Sequence, residues 1–255
     1  PSRQPGVSAM VIPLVPEPGA VIRLPIAGFE ARDDHAFPGR RAAVVYLQGC
    51  PLACGYCETA SRMGPARRAA PGEWPAMEAL LATRLGEINA VVFSGGEPTL
   101  HPDLPAAADA CRTLGLAVGL HTAGPYPERL EALLPRLDWV ALDTKGRGAD
   151  FDRIGGRHGI WQRHARSLSL LLEGDIPFEC RTTVHWRDFT LEELERLAMT
   201  LADCGVRRYA IQLARREHCL DPGYREAVED APPREALETL ARRLKRHFEH
   251  LKLRG

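Results

Sequence analysis

Cys50, Cys54 and Cys57 fall within eight positions, in the stretch YLQGCPLACGYCETA. Thiols at this density could form a disulfide with one to spare, clamp a zinc ion, or ligate an iron–sulfur cluster. The disulfide is the weakest of these. The chain as given opens with no charged-then-apolar leader, so the expected compartment is cytoplasmic, where thiols stay reduced. Seven cysteines, an odd number, also fit a disulfide framework poorly. A structural zinc site wants four closed ligands, typically in paired C-x2–4-C units. Cys111, Cys180, Cys204 and Cys219 are scattered singly, so His35 or His101 would have to complete such a site. A cubane cluster usually takes four thiolates, and a C-x3-C-x2-C loop that supplies three leaves one iron open to a small molecule. The glycines, the proline and the polar Glu58–Thr59 argue for a loop rather than for inert buried cysteines.

Other segments carry groups of the same kind. SGGEPT, residues 94 to 99, has a glycine turn that lets backbone approach a ligand closely, with Glu97 either a counter-charge or a helix-start carboxylate. HTAG at 121–124, DTK at 143–145, RTTVH at 181–185 and QLARREHC at 212–219 are also polar. Asp143 and Lys145 alternate on one face of an extended segment. Arg181 lies on an apolar run, where an unpaired charge is costly, so it needs an anionic partner. Glu179 is read as too close in sequence to serve, and Asp143 as possible. Gln212 and Arg215 are candidates to close a cavity, and His121 reads as a satisfied strand-end histidine. RRLKRH at 242–247 reads as a solvated helix face.

The elements that would hold these groups follow a rhythm. Short apolar or β-branched runs lie at 42–47, 90–94, 116–121, 138–142, 178–184 and 208–213. Helical periodicity fills 73–86, 103–114, 127–136, 160–174, 190–203 and 233–251. Asp103 is a candidate cap, Thr190 with Glu193 a capping box, and Gly115, Gly174 and Gly205 stand where helices end in a left-handed residue. Strand then helix, six times, implies parallel strands with right-handed crossovers, and functional groups gather at the C-terminal strand ends. Every polar segment above sits at such an end. The expected fold is α/β, a partial (β/α)6 barrel over residues 41–255 with an open doubly wound sheet as the alternative, after an irregular Pro- and Gly-rich lead-in at 1–40 with room for a short hairpin.

Composition sets limits. Lysine plus arginine equals aspartate plus glutamate at 33 each, which gives no global basic footprint for nucleic acid. The longest apolar runs fall far short of the ~20 residues that span a bilayer. Neither a nucleic acid nor a membrane is expected as a partner.

C-x3-C-x2-C with Tyr56 before its last cysteine, followed by GGEP after the second predicted strand, resembles the radical S-adenosylmethionine (SAM) superfamily. Over residues 26 to 222, IAGFEARDDHAFPGRRAAVVYLQGC, VVFSGGEPTLHPDL, VGLHTAGPYPERL, DWVALDTKG and FECRTTVH together resemble the activating proteins of anaerobic (class III) ribonucleotide reductases. The resemblance implies a [4Fe–4S] cluster on Cys50, Cys54 and Cys57, with SAM chelated to the open iron. It implies SAM contacts from Tyr56, Ser94, Gly95, Gly96, Glu97, Thr122, Gly124 and Asp143, with Glu97 as counter-charge to the SAM ammonium; Arg181, in need of an anion, is a candidate to face the SAM carboxylate, and Gln212 to close the cofactor cavity. Lys145 and Arg181 are the residues expected to act in the reaction. That reaction is reductive cleavage of SAM to a 5′-deoxyadenosyl radical, which generates a glycyl radical on the reductase, with electrons from a flavodoxin-type donor. Related activating proteins have His-Asn-Pro after the third cysteine, where this chain has Glu58-Thr59-Ala60. That departure is similar instead to 7-carboxy-7-deazaguanine synthase and keeps a small-molecule substrate as the alternative; a non-enzymatic iron–sulfur or zinc protein is the third reading.

Overall fold

The computed structural model describes residues 21–58 and 67–255. One eight-stranded sheet runs through the described residues in chain order, β1 to β8. The six expected strands are β2 (Ala42–Leu47), β3 (Ala90–Gly95), β4 (Ala117–Thr122), β5 (Trp139–Asp143), β6 (Phe178–Val184) and β7 (Arg208–Leu213), all mutually parallel. The sheet does not close, because β1 and β8 form its two edges. The helices are α1 (Glu73–Thr83), α2 (Leu104–Thr113), α3 (Pro127–Leu133), α4 (Ala149–Gly155), α5 (Ile160–Glu173), α6 (Leu191–Asp203) and α7 (Arg234–Leu244). No described helix is long and apolar enough to cross a membrane.

Period-two alternation sorts the strand residues between two cores. Val45, Leu47, Val91, Phe93, Val118, Leu120, Val140 and Leu142 point outward into the large core shared with the helices. Ala42, Val44, Ala90, Val92 and Trp139 point inward to a small second core. The β1–β2 connection folds under this inner face and inserts Phe37, whose ring lies 6.0 Å from Trp139. Gly119 makes room for it, since a Cβ there would stand 3.1 Å from the Phe37 ring. One end of the barrel is thus plugged by side chains, and inward-facing groups further along each strand are left to line a cavity at the other.

Five features depart from the sequence-based expectation. Residues 26–33, read as irregular lead-in, form β1 (Ile26–Asp33), antiparallel to β2 with register irregularities that hide its alternation. The stretch 233–251, read as one helix, ends at Leu244; after a 3-10 turn, HLKLR forms β8 (His250–Arg254), parallel to β7. Leu251 and Leu253 pack on the large core, so the period changes from helix to strand within the basic run. The short α4 carries no readable helical period, because glycines at 146, 148, 155 and 156 break its pattern. Gly174 has an extended φ of −96°, whereas Gly115 and Gly205 take the left-handed conformation. The Thr190–Glu193 capping box is present, while the Asp103 carboxylate instead accepts from the Arg23 backbone N–H at 2.7 Å.

Candidate active site

At the C-terminal strand ends lies a cavity of about 270 Å³. Its wall contains Cys50, Cys54 and Cys57, together with Tyr56, Ser94, Gly95, Gly96, Thr122, Asp143, Lys145 and Gln212. Eleven residues expected from the sequence are therefore brought together. His121, Ala123, Thr183, Leu52, Leu213 and Glu58 also line it. Thr183 could have been found by stepping two residues from Arg181 along β6, because inward-facing positions alternate. Glu97, Gly124 and Arg181 are not on the wall.

The cysteine loop is held from two sides. Ala53 donates its backbone N–H to the Gly155 carbonyl at 2.8 Å, and Gly156, in the left-handed region at φ +66°, packs against Ala53. On the other side, a segment after β7 runs alongside: Leu220 N–H donates to the Cys57 carbonyl at 2.7 Å and Asp221 N–H to that of Gly55 at 3.2 Å. Arg215 pairs through its guanidinium with Glu58, the residue after the last cysteine. Tyr224 lies flat on Gly55, where a Cβ would meet its ring at 2.3 Å. Tyr224 is itself fixed, since its hydroxyl donates to Asp188 at 2.9 Å. Of this segment, the sequence pointed to Arg215 but not to Leu220, Asp221 or Tyr224.

Glu97 is buried, and its carboxylate joins two strand-end loops. Oε1 accepts from the Thr99 N–H at 3.0 Å, the Thr99 hydroxyl at 2.6 Å and the Thr122 hydroxyl at 2.7 Å; Oε2 accepts from the Ala123 N–H at 2.8 Å. Burial pushes its pKa up, and these donors pull against that. In this structure the carboxylate clamps the two strand-end loops together from behind the wall. From the far side, Ser167 donates to the Gly124 carbonyl at 2.9 Å, and His164 Nδ1 lies 3.0 Å from the Ala123 carbonyl. Gly124, at φ +68°, allows this approach, since a Cβ would lie 2.8 Å from that of Ser167.

Two buried cations differ in placement. Lys145 reaches the Tyr56 hydroxyl at 3.2 Å and lies 4.0 Å from Asp143. Burial works against its charge, but Tyr56, Cys54 and Asp143 outweigh that and hold its pKa well above the ordinary lysine value. Arg181 pairs with Glu179 at 2.8 Å, the partner set aside on sequence grounds. The two-residue spacing is the reason they meet, because alternation puts both side chains on the same face. Arg181 also lies 3.2 Å from His121 Nε2, behind the wall that His121 lines. Burial, reinforced by Arg181, holds the His121 pKa well below normal, so the ring is neutral; its Nε2 is 2.8 Å from the Ala36 carbonyl.

Cys50, Cys54 and Cys57 line one cavity, and a cubane's ligands ring a space, one thiolate to each iron. Burial pushes the Cys50 thiol up to about 12, with Glu97 adding to the effect, and burial raises Cys54 as well. Buried thiols of this kind ionise against a bound metal's positive charge, which iron supplies. The backbone at Gly95, φ +114°, could not accept a side chain, since a Cβ would stand 2.4 Å from Leu47 N and O.

The Radical SAM superfamily profile matches residues 44–201, from β2 through α6. The chain belongs to the radical SAM superfamily. A protein of Methanocaldococcus jannaschii, provisionally named a glycyl-radical enzyme activating enzyme, is 28% identical over 228 residues, covering 86% of this chain and 90% of that protein. A PqqA peptide cyclase of Ruegeria pomeroyi is 34% identical over 64% of this chain and 44% of its own length. Among solved structures, Streptococcus suis SuiB bound to its precursor peptide SuiA superposes with a TM-score of 0.61 at 18% identity, over 82% of this chain and 48% of that one. The radical SAM chain therefore has the unclosed, mostly parallel α/β sheet of that neighbour. Membership implies a [4Fe–4S] cluster and SAM, and the thiols on the cavity wall fit that cluster.

Proposed function

We propose that the protein is a glycyl radical enzyme activase that acts on an anaerobic ribonucleotide reductase and draws its electron from a flavodoxin-type donor. The observation that carries the reading is the likeness, over nearly the whole of both chains, to the provisionally named activating enzyme of M. jannaschii. When bound, the cluster supplies the electron that cleaves SAM to methionine and a 5′-deoxyadenosyl radical, which takes a hydrogen atom from the target glycine. The protein's own residues bind, orient and exclude water. Cys50, Cys54 and Cys57 hold the cluster, and Tyr56, Ser94, Gly95, Gly96, Thr122, Asp143 and Gln212 form the cradle for SAM. Lys145 is the cation placed beside the cysteine loop, suited to an anionic group of the ligand. Glu97, Gly124 and Arg181 act from behind the wall, by fixing the residues that line it.

The test uses anaerobically reconstituted protein, reduced with SAM present, with and without the candidate reductase. A glycyl doublet in the electron paramagnetic resonance spectrum that appears only with the reductase is expected. 5′-Deoxyadenosine formed without a glycyl signal would overturn the activase reading while keeping the radical chemistry.

A further inference from the structure

At the cavity the sheet splits between β4 and β5. Their ladder ends at Thr122 beside Leu142, whereas β5 stays paired with β6 one residue further, at Asp143 beside Arg181. The chain on each side of the split lines the cavity, with Thr122 and Ala123 on one side and Asp143 and Lys145 on the other. His164 of α5 spans it. Its Nδ1 lies 3.0 Å from the Ala123 carbonyl, and its Nε2 3.3 Å from Oγ1 of Thr144, the residue between Asp143 and Lys145. A carbonyl only accepts, so Nδ1 carries the hydrogen and Nε2 is left to accept from the Thr144 hydroxyl. The ring is fully buried and packed against Phe151, at 4.4 Å between centroids, and Trp161, at 5.8 Å. Burial, with Lys145 adding to it, draws the pKa down to about 4 against the Ala123 hydrogen bond, and the imidazole is neutral.

His164 is one link in a longer buried chain. On the β4 side, the Ala123 N–H donates to Glu97, which also accepts from Thr99 and Thr122. On the β5 side, the Thr144 carbonyl accepts from the Thr182 hydroxyl at 2.8 Å, which in turn accepts from that of Tyr209 at 2.8 Å. The chain runs from the end of β3 to β7, and His164 is where it crosses the split. Ladder bonds hold paired strands at a fixed separation; beyond the last pair of β4 and β5, this side chain takes over that task. We propose that His164 is a positioning residue for SAM, which sets the spacing of the Thr122–Ala123 and Asp143–Lys145 walls by holding Ala123 and Thr144 at once. An imidazole suits the role, because it presents one donor and one acceptor at a fixed separation. Without either bond the binding spacing is populated only part of the time, and the apparent affinity for SAM falls by that fraction. The proposal rests on the SAM-cradle reading and not on the identity of the hydrogen-atom donor.

The experiment measures the Kd of SAM by anaerobic isothermal titration calorimetry on reconstituted protein. KM for SAM and kcat are taken from deoxyadenosine formation under reducing conditions, with iron content and Tm measured alongside. Thr144→Val removes the hydroxyl and keeps the shape. Its Kd and KM are expected to rise about three- to tenfold, the range of one neutral hydrogen bond, with kcat and iron content near wild type. Thr144→Ser, which retains the hydroxyl, should restore the affinity. His164→Asn keeps a donor near the Nδ1 position but does not reach Thr144, so it should match Thr144→Val, and the double variant should be no weaker than either. If circular dichroism shows His164→Asn unfolded, the contrast between Thr144→Val and Thr144→Ser decides. A lowered Tm with unchanged SAM affinity marks a merely structural role and would overturn the proposal. Additive losses in the double variant, or a Thr144→Ser as weak as Thr144→Val, would overturn it too. Wild-type protein that holds its cluster but binds no SAM would overturn the cradle reading as well, whereas tight wild-type binding left unchanged in every variant would overturn this proposal alone.

Discussion

Glu97→Gln tests whether the glycine-glycine-glutamate turn works through its carboxylate's reach or through its charge at the ligand. The substitution keeps size and shape but leaves one acceptor oxygen. If the amide oxygen takes the Oε1 position, it keeps the Thr99 N–H and both hydroxyls, and the amide nitrogen then faces the Ala123 N–H across 2.8 Å. Donor meets donor, and neither finds another acceptor in a residue only 1% exposed. The opposite rotamer is worse, because it turns the amide towards the Thr99 N–H. One stranded buried donor costs about 1–3 kcal/mol, and with the amide's own unmet hydrogens the sum is about 2–4 kcal/mol. For a chain of this size that lowers Tm by roughly 4–16 °C. Thermal unfolding followed by anaerobic circular dichroism measures it against wild type. Weaker SAM binding should accompany the loss, because Ala123, whose N–H loses its acceptor, lines the cavity. A Tm within about 2 °C of wild type, combined with weakened SAM binding, would refute the clamp and restore a direct ligand contact.

Cys50→Ala, Cys54→Ala or Cys57→Ala should each prevent cluster retention, whereas Cys111→Ala, on the buried face of α2, should leave iron content near wild type; iron and sulfide analysis after reconstitution decides. Gly55→Ala would drive a methyl into the Tyr224 ring at 2.3 Å. Overpacking of this kind costs about 1–3 kcal/mol, so faster iron loss is expected, with recovery in Gly55→Ala/Tyr224→Ala and no recovery if the contact is irrelevant. Arg67 first, then the Ala70 and Ile26 N–H groups, draw the Glu73 pKa down to about 2 against the opposing effect of burial. A carboxylate with a lowered pKa stabilises the fold above its unfolded value, and that contribution disappears as pH falls through the folded one. Denaturant midpoints should therefore fall between about pH 5 and pH 2 more steeply for wild type than for Glu73→Gln, and parallel curves would count against the pairing.

Much of the framework was legible because each central strand is buried on both faces and bounded by a helix of opposite period. AAVVYL or DWVAL needs no partner to be recognised as a strand. The two edges were not legible, for different reasons. In β1 a shifted register breaks the alternation. In β8 only Leu251 and Leu253 carry the period, and the preceding helix ends in Lys245–His247 without a glycine to mark the stop. What makes HLKLR a strand is the open edge of β7 waiting for backbone partners, a tertiary cause that a local window does not contain.

At the site, legibility separates along the same line. Residues that meet a ligand through a motif could be read directly: the three cysteines, Tyr56, and the backbone turn of Gly95 and Gly96 all line the cavity. Residues whose task is fixed by what lies behind them could not. Glu97 and Arg181 are both charged, both in recognised segments and both expected to reach the ligand, yet each is turned towards protein. For Arg181 the decisive fact is elementary: two residues apart on a strand is adjacency, so Glu179 was the nearest acid all along. For Glu97 it is distance in sequence, since half of its donors come from a loop 25 and 26 residues away. A buried charge must be answered by partners wherever the chain supplies them. In this barrel the partners come from the next strand end, and so the groups that hold one loop in place also set the shape of its neighbour. Perturbing either clamp should therefore register on both loops, a coupling that one-at-a-time reading of motifs has no means of showing.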